Sequence, residues 1–257
     1  ELGVAVKYLP YLGTSRYSPT AFKQELFKLG LSVDVFVGDD RSYVTLSGLE
    51  SNLEKGIELL EHLLADAQPN EEALKGLVAD IKKTRQDDLK NKGNILFGAL
   101  ASYAKFGERS SFNDVLSAEQ LNALSGKELV DRIRGLTGYK HKVFYYGKKD
   151  PSVLTLLLEK MHKTPAELKD YPAARVYPEL ATTTNKVYFT DHDMVQSEML
   201  SFSKAGAFDV KVMPYASLFN EYFGSGLSSI VFQEIREAKA LAYGAGAAYT
   251  TPNKKAD

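Results

Sequence analysis

The chain has 257 residues with 44% hydrophobic content, which is enough to bury one or two ordinary domain cores. Its 32 basic and 33 acidic residues nearly cancel, and the basic clusters are short and lack interleaved aromatic residues, which argues against a nucleic-acid partner. The absence of cysteine excludes disulfides and thiol chemistry without identifying the compartment. The sequence has no run of about 18 apolar residues and therefore predicts no membrane span.

The first predicted elements have clear start and stop signals. A Ser-Pro dipeptide begins and a glycine ends a helical pattern over residues 18–30. Residues 31–37 and 42–49 read as two strands, with a hairpin-like turn at 38–40 that contains Asp39 and Asp40. Further helical patterns cover residues 51–66, 71–90 and 95–105.

The second half of the chain mixes short helices and strands. Ser117 and Ser125 each stand three residues before a Gln or Glu, the pattern of a helix cap. Residues 141–146 are predicted to form a strand, 152–161 a helix, and the proline-containing residues 169–184 a linker. Beyond the linker the sequence predicts further strands at residues 186–190, 195–203 and 241–249.

Strand pairs followed by helices, without strict alternation, predict an α+β fold. We expect a first domain at residues 1–168, a linker at 169–184 and the start of a second domain at 185–257. Residues 11–26 are echoed by residues 222–235, an offset of about 210 residues that fits duplicated domains better than short solenoid repeats. The second copy is then expected to be incomplete.

Residues 219–243 combine features that rarely occur together. A Gly-Ser-Gly break at 224–226 follows an apolar turn, and apolar residues then recur at the spacing of a buried helix face over 227–235. Small and aromatic residues after this helix suit a strand. Arg236 is therefore expected near a helix end, and Tyr243 on the neighbouring strand.

This region resembles the closing motif of the insulinase or pitrilysin (inverzincin) type of zinc metallopeptidase. The matching segments are FGSG, VFQEIREAK and ALAY. In that family the Arg and Tyr of the motif reach the active site from the half without zinc and help to hold the peptide backbone. The resemblance implies this substrate-binding role for Arg236 and Tyr243, whereas without it they read as a surface arginine and a core-edge tyrosine.

The same family binds zinc through an inverted His-x-x-Glu-His motif a few residues before a Gly-Thr. Counting back from the Gly-Thr at residues 13–14 places Val4 and Tyr8 where the histidines stand and Lys7 where the glutamate stands. Asp80 falls near the position of the third zinc ligand. The resemblance therefore implies a degenerate site, with neither metal nor catalytic residue in this chain.

The resemblance implies that this chain is the C-terminal, non-catalytic half of a long bacterial zinc metalloendopeptidase, or part of that half, covering the third domain and the opening of the fourth. Such a half closes the chamber over the peptide substrate. Zinc is expected in an N-terminal half, in the same chain or in a partner subunit, and this chain alone is expected to be inactive. Exported relatives suggest the periplasm.

Two other functions remain open at this point. One is a structural or assembly protein of the same fold without peptidase activity, which a degenerate zinc site fits equally well. The other is a small-molecule-binding α+β domain unrelated to peptidases, which requires the match over residues 219–243 to be a coincidence.

The histidines favour simpler interpretations. Glu58 and His62 lie four residues apart on a predicted helix, a spacing that can bind a metal, but the first histidine of the motif is missing, which favours a solvated helix face. His141, His162 and His192 have no second histidine at ligand spacing. We therefore expect surface or packed histidines.

Overall fold

A computed structural model describes residues 1–38, 41–204 and 206–251. The predicted α+β class is confirmed, because helices are combined with two small antiparallel sheets. The α-helices are α1 (Leu2–Tyr8), α2 (Pro19–Lys28), α3 (Leu53–Asp66), α4 (Glu71–Asp88), α5 (Ala101–Phe106), α6 (Ala118–Asn122), α7 (Gly126–Arg134), α8 (Pro151–Met161) and α9 (Met213–Phe223). The strands are β1 (Gly13–Thr14), β2 (Leu31–Val37), β3 (Ser42–Gly48) and β4 (Ala67–Gln68). Asn94–Leu100 and Phe232–Ala238 are π-helical.

The two sheets are both antiparallel pairs. β2 pairs with β3 so that Leu31 lies opposite Gly48 and Val37 opposite Ser42, which confirms the predicted hairpin. Asp39 and Asp40 of its predicted turn lie outside the described residues. β1 pairs with β4, which joins the chain before α2 to the end of α3.

The predicted helix caps are present. The Ser18 hydroxyl accepts a hydrogen bond from the Ala21 amide at 3.2 Å, which satisfies a donor of the first turn of α2. Gly30, just after this helix, has a φ of 63°, a conformation that glycine adopts without strain. Ser117 and Gln120 exchange the two hydrogen bonds of a capping box at the start of α6.

The main core surrounds α1. Ala5, Tyr8 and the adjoining Leu9 are fully buried, and they pack in one cluster with residues from α2, α3, α4, α6 and α7. Such burial is the main favourable contribution to folding, at roughly 25 cal/mol per Å² of apolar surface. The first helix of the described chain is therefore a structural centre of the fold.

The strands predicted at residues 141–146, 186–190, 195–203 and 241–249 are wrong, because the structure describes none of these segments as a strand. Phe144 and Phe189, for example, are 77% and 87% exposed. A strand forms only when its backbone hydrogen-bonds to a neighbouring strand. Local alternation of apolar residues does not show whether such a neighbour is present. Just before the first of these segments, Tyr139 and Lys169 form a single parallel β-bridge.

The chain forms two compact units, Glu1–Leu200 and Ser201–Asp257. The linker predicted at residues 169–184 lies within the first unit, and the assignment of domains stays a prediction. Along the described part of the chain, each helix is too short or too polar to cross a membrane.

Candidate functional site

The two residues singled out in the second unit lie side by side. The guanidinium carbon of Arg236 is 4.9 Å from the centroid of the Tyr243 ring and 4.8 Å from that of the Phe232 ring. Both distances are within the range of cation–π attraction, which contributes about 0.5–1 kcal/mol at exposed sites. The two rings therefore restrict where the guanidinium lies.

A tight turn brings Tyr243 back to Arg236. The amide of Ala240 donates to the Arg236 carbonyl at 3.1 Å, and the amide of Leu241 donates to the Ile235 carbonyl at 3.0 Å. Ala240 has a φ of 49°, and a positive φ is uncommon for a residue other than glycine. The chain thus turns back directly after the π-helical turns. π-Helical turns and a positive φ outside glycine are both frequent at functional sites.

A second set of contacts fixes the segment that follows Tyr243. Asn220 of α9 exchanges two hydrogen bonds with the backbone of Tyr249, at 3.0 and 2.6 Å. At Gly224 an added Cβ would lie 1.7 Å from the Ala247 carbonyl oxygen, so this close approach requires glycine. The Gly-Ser-Gly break is therefore a packing point between α9 and the segment that carries Tyr243.

The site is open to a ligand. Tyr243 is 84% exposed, and the Arg236 side chain is 35% exposed with Nε 3.6 Å from a carboxylate oxygen of Glu237. A guanidinium offers five N–H donors in a rigid plane, and a phenol offers both a donor and an acceptor. This pair can bind carbonyl oxygens and a backbone amide of an extended peptide.

Two features of this site were not predicted. The strand expected for Tyr243 is wrong, since the residue lies in an irregular segment held by Asn220 and Gly224. The contact of Phe232 with Arg236 was also missed. The four-residue spacing of Phe232 and Arg236 could have predicted it, because residues four apart on a helix lie on the same face.

The residues expected at a degenerate zinc site lie in or beside the core of the first unit or on its surface. Tyr8 is fully buried, and its hydroxyl donates to the Asn70 carbonyl at 2.6 Å and accepts from the Asn70 amide at 2.7 Å. Burial raises the pKa of the Tyr8 hydroxyl. Val4 packs against the core, whereas Lys7 and Asp80 are exposed. Tyr8 thus connects α1 to the start of α4.

Residues 1–38, 41–204 and 206–251 contain no group of three or more His, Cys, Asp or Glu side chains placed to hold a metal. Glu58 and His62 have separate partners: Glu58 pairs with Lys55 at 2.8 Å, and His62 lies 3.8 Å from an Asp66 oxygen. The expectation for the remaining histidines needs one correction. His141 and His162 are in contact, although 21 residues separate them along the chain.

No protein-family model matches the sequence, and no curated protein matches it. Solved structures do. A peptidase M16 inactive domain from Pseudomonas fluorescens is 14% identical, with a TM-score of 0.60 over 94% of this chain and 58% of that one. A protease from Helicobacter pylori is 13% identical, with a TM-score of 0.59 over 95% of this chain and 60% of that one.

A third similar structure is the ferredoxin protease FusC in complex with Arabidopsis ferredoxin. It is 13% identical, with a TM-score of 0.55 over 70% of this chain and 20% of that one. The chain thus spans about three fifths or less of the length of these neighbours. At this level of identity the likeness shows the fold. The chain has the fold of M16 peptidases, including that of an inactive M16 domain.

Proposed function

We propose that this chain is the non-catalytic half of a zinc metalloendopeptidase, and that Arg236 and Tyr243 bind the backbone of its peptide substrate. The observation that carries the proposal is the Arg236 guanidinium held against Tyr243 and Phe232 in a chain with the fold of an inactive M16 domain. Zinc would be bound by the other half, where it would activate the attacking water.

The geometry suits backbone binding because Arg236 and Tyr243 are already restricted before a ligand binds. An unrestrained arginine loses side-chain entropy when it binds a ligand, on the order of 1 kcal/mol. The ring contacts and the turn at Ala240 reduce this cost, since they already restrict Arg236 and Tyr243. Backbone carbonyls occur in every peptide, so such contacts would position substrates of different sequence.

A half without metal can still determine the rate. Closure over a bound peptide would exclude water and orient the scissile bond, and orientation alone contributes several kcal/mol to catalysis, with a ceiling of about 7–11 kcal/mol. The complex of FusC with ferredoxin shows that one protein of this fold holds a protein substrate. We propose a polypeptide ligand for this chain as well, in the extended form that contacts of Arg236 and Tyr243 with the peptide backbone would require.

The test uses the parent protein, in which this chain and the zinc-bearing half are both present. Arg236→Ala and Tyr243→Phe should lower kcat/KM for an unstructured peptide by roughly 10-fold or more, the effect of losing a charged or well-placed hydrogen bond. Zinc content should not change. Lys239→Ala and Tyr215→Phe are matched controls, because both side chains are exposed and lie in the same unit.

Three results would count against the proposal. Wild-type cleavage by both variants would remove the role of the pair, and loss of zinc would make the effect indirect. A parent protein that cleaves no peptide would favour the structural or assembly function instead.

A further inference from the structure

Two histidines and a glutamate from separate segments meet in the first unit. His141 follows the bridge at Tyr139, His162 caps the C-terminus of α8, and Glu61 lies on α3. The Nε2 atoms of His141 and His162 are 2.7 Å apart. The Nδ1 atom of His162 lies 2.6 Å from a Glu61 carboxylate oxygen, and that of His141 lies 2.6 Å from the Tyr139 carbonyl oxygen.

These contacts determine where the ring protons lie. A carbonyl oxygen only accepts, so Nδ1 of His141 is the protonated nitrogen, and a carboxylate at Glu61 likewise requires a proton on Nδ1 of His162. In the neutral rings the lone pair is then on Nε2 of each histidine. Two lone pairs that face each other need a shared positive partner, which is either a proton or a metal ion.

The spacing is close to that of two ligands of one metal ion. Metal–nitrogen bonds of about 2.0–2.1 Å place two histidine nitrogens about 3.3 Å apart on a tetrahedral ion and about 2.9 Å apart on an octahedral one. The two nitrogens now point nearly at each other, with the ring centroids 4.9 Å apart. To reach either value, the nitrogens must move apart and the rings must turn so that both Nε2 lone pairs point at one ion. His141 is exposed, so its ring has room to make this adjustment.

The surroundings favour a cation. His162 is the C-cap residue of α8, and the C-terminus of a helix carries a partial negative charge. Metal-binding histidines almost always donate their second N–H to a carboxylate or a backbone carbonyl, which fixes the ring. Glu61 and the Tyr139 carbonyl occupy these two supporting positions.

We propose that His141 and His162 bind a divalent transition-metal ion such as Zn²⁺ through their Nε2 atoms, with water completing the coordination. Glu61 is a positioning residue that acts through His162. The ion would tie α3, the segment at His141 and the end of α8 together. This site is independent of the proposed peptide binding and of zinc in the other half.

The test is a calorimetric titration of ZnCl₂ into the untagged chain at pH 7.5. The wild type and His192→Ala should each bind one Zn²⁺, whereas His141→Ala and His162→Ala should bind at least 10-fold more weakly. Glu61→Gln should weaken binding by roughly 10- to 100-fold, the usual effect of losing a supporting carboxylate. Because Zn²⁺ needs deprotonated Nε2 atoms, binding should also weaken as the pH falls.

A second measurement uses Cu²⁺ bound to the same protein. Its electron paramagnetic resonance spectrum should show coupling to two imidazole nitrogens in the wild type and to one in His141→Ala. Circular dichroism checks that each variant is folded. Equal Zn²⁺ affinity in the wild type and in folded His141→Ala would overturn the proposal as adventitious surface binding, and absence of saturable binding would mean that the shared partner is a proton.

Discussion

The Arg236 guanidinium lies 4.9 Å from the Tyr243 ring, and the turn at Ala240 that separates them is held by the Arg236 carbonyl itself. The same residue therefore contributes both the charge of the candidate site and an anchor of the turn that delivers its neighbour. The two side chains form one unit, and changes to either should be felt through the other.

The proposal gives Tyr243 two separable roles, a ring that contacts Arg236 and a hydroxyl that binds substrate. Tyr243→Phe keeps the ring against Arg236 and removes only the hydroxyl, whereas Tyr243→Ala removes both. We expect the alanine variant of the parent protein to lose more kcat/KM than the phenylalanine variant, by roughly 2- to 5-fold, because an exposed cation–π contact contributes about 0.5–1 kcal/mol. Steady-state cleavage of an unstructured peptide measures the difference. Equal losses would mean that the ring does not hold the guanidinium.

Gly224 contacts Ala247 closely and so determines the path of the segment that follows Tyr243. In Gly224→Ala the new Cβ would clash with the Ala247 carbonyl oxygen and displace the segment that follows Tyr243. We expect a loss of cleavage comparable to that of Tyr243→Ala, with zinc content unchanged. Gly206→Ala is the matched control, because its Cβ would meet open space. Normal cleavage by Gly224→Ala would show that the close approach is not needed.

Tyr8 should be important for stability. Tyr8→Phe removes both hydrogen bonds to the Asn70 backbone. The half-buried Asn70 amide loses its partner, whereas the Asn70 carbonyl still accepts from the Leu74 amide at 3.0 Å, so the expected cost is about 1 kcal/mol. Urea unfolding of the chain should show this decrease in the free energy of unfolding. Tyr11→Phe, a change at a 42% exposed residue, should be close to neutral. A neutral Tyr8→Phe would mean that water replaces the lost contacts.

Glu50 should make stability depend on pH. The Tyr145 hydroxyl and the Lys148 and Lys149 amides donate to its carboxylate and hold the pKa of Glu50 below its usual value of 4.5. A lowered pKa stabilises the fold above pH 4.5, and this contribution disappears as the pH falls through the lowered pKa. Glu50→Gln should therefore reduce the urea midpoint at pH 7 and differ less from the wild type at pH 3. An equal difference at both pH values would exclude this linkage.

Local signals predicted the parts of the fold that local chemistry determines. The Ser18 cap marks the start of α2, and Gly30, with its left-handed conformation, marks its end. Both signals depend only on backbone groups within one helical turn. The strand predicted at residues 141–146 failed, because a strand depends on a partner elsewhere in the chain. The contact of His141 with His162 is of the same kind, since no local pattern reports a tertiary neighbour.

In the candidate site, too, the residues were predictable from the sequence and their tertiary contacts were not. Arg236 and Tyr243 were identified through a motif resemblance, and the structure brings them together. The means of positioning were not predictable, because the left-handed Ala240 and the approach of Ala247 to Gly224 depend on the folded backbone. Whether the pair binds substrate stays a prediction.

Cooperation of the two halves can be measured as cleavage of an unstructured peptide by this chain alone, by the zinc-bearing half alone and by the two together. We expect that neither half cleaves efficiently alone, that the combination does, and that Arg236→Ala in this chain reduces the recovered activity. Efficient cleavage by the zinc-bearing half alone, unchanged when this chain is added, would contradict it.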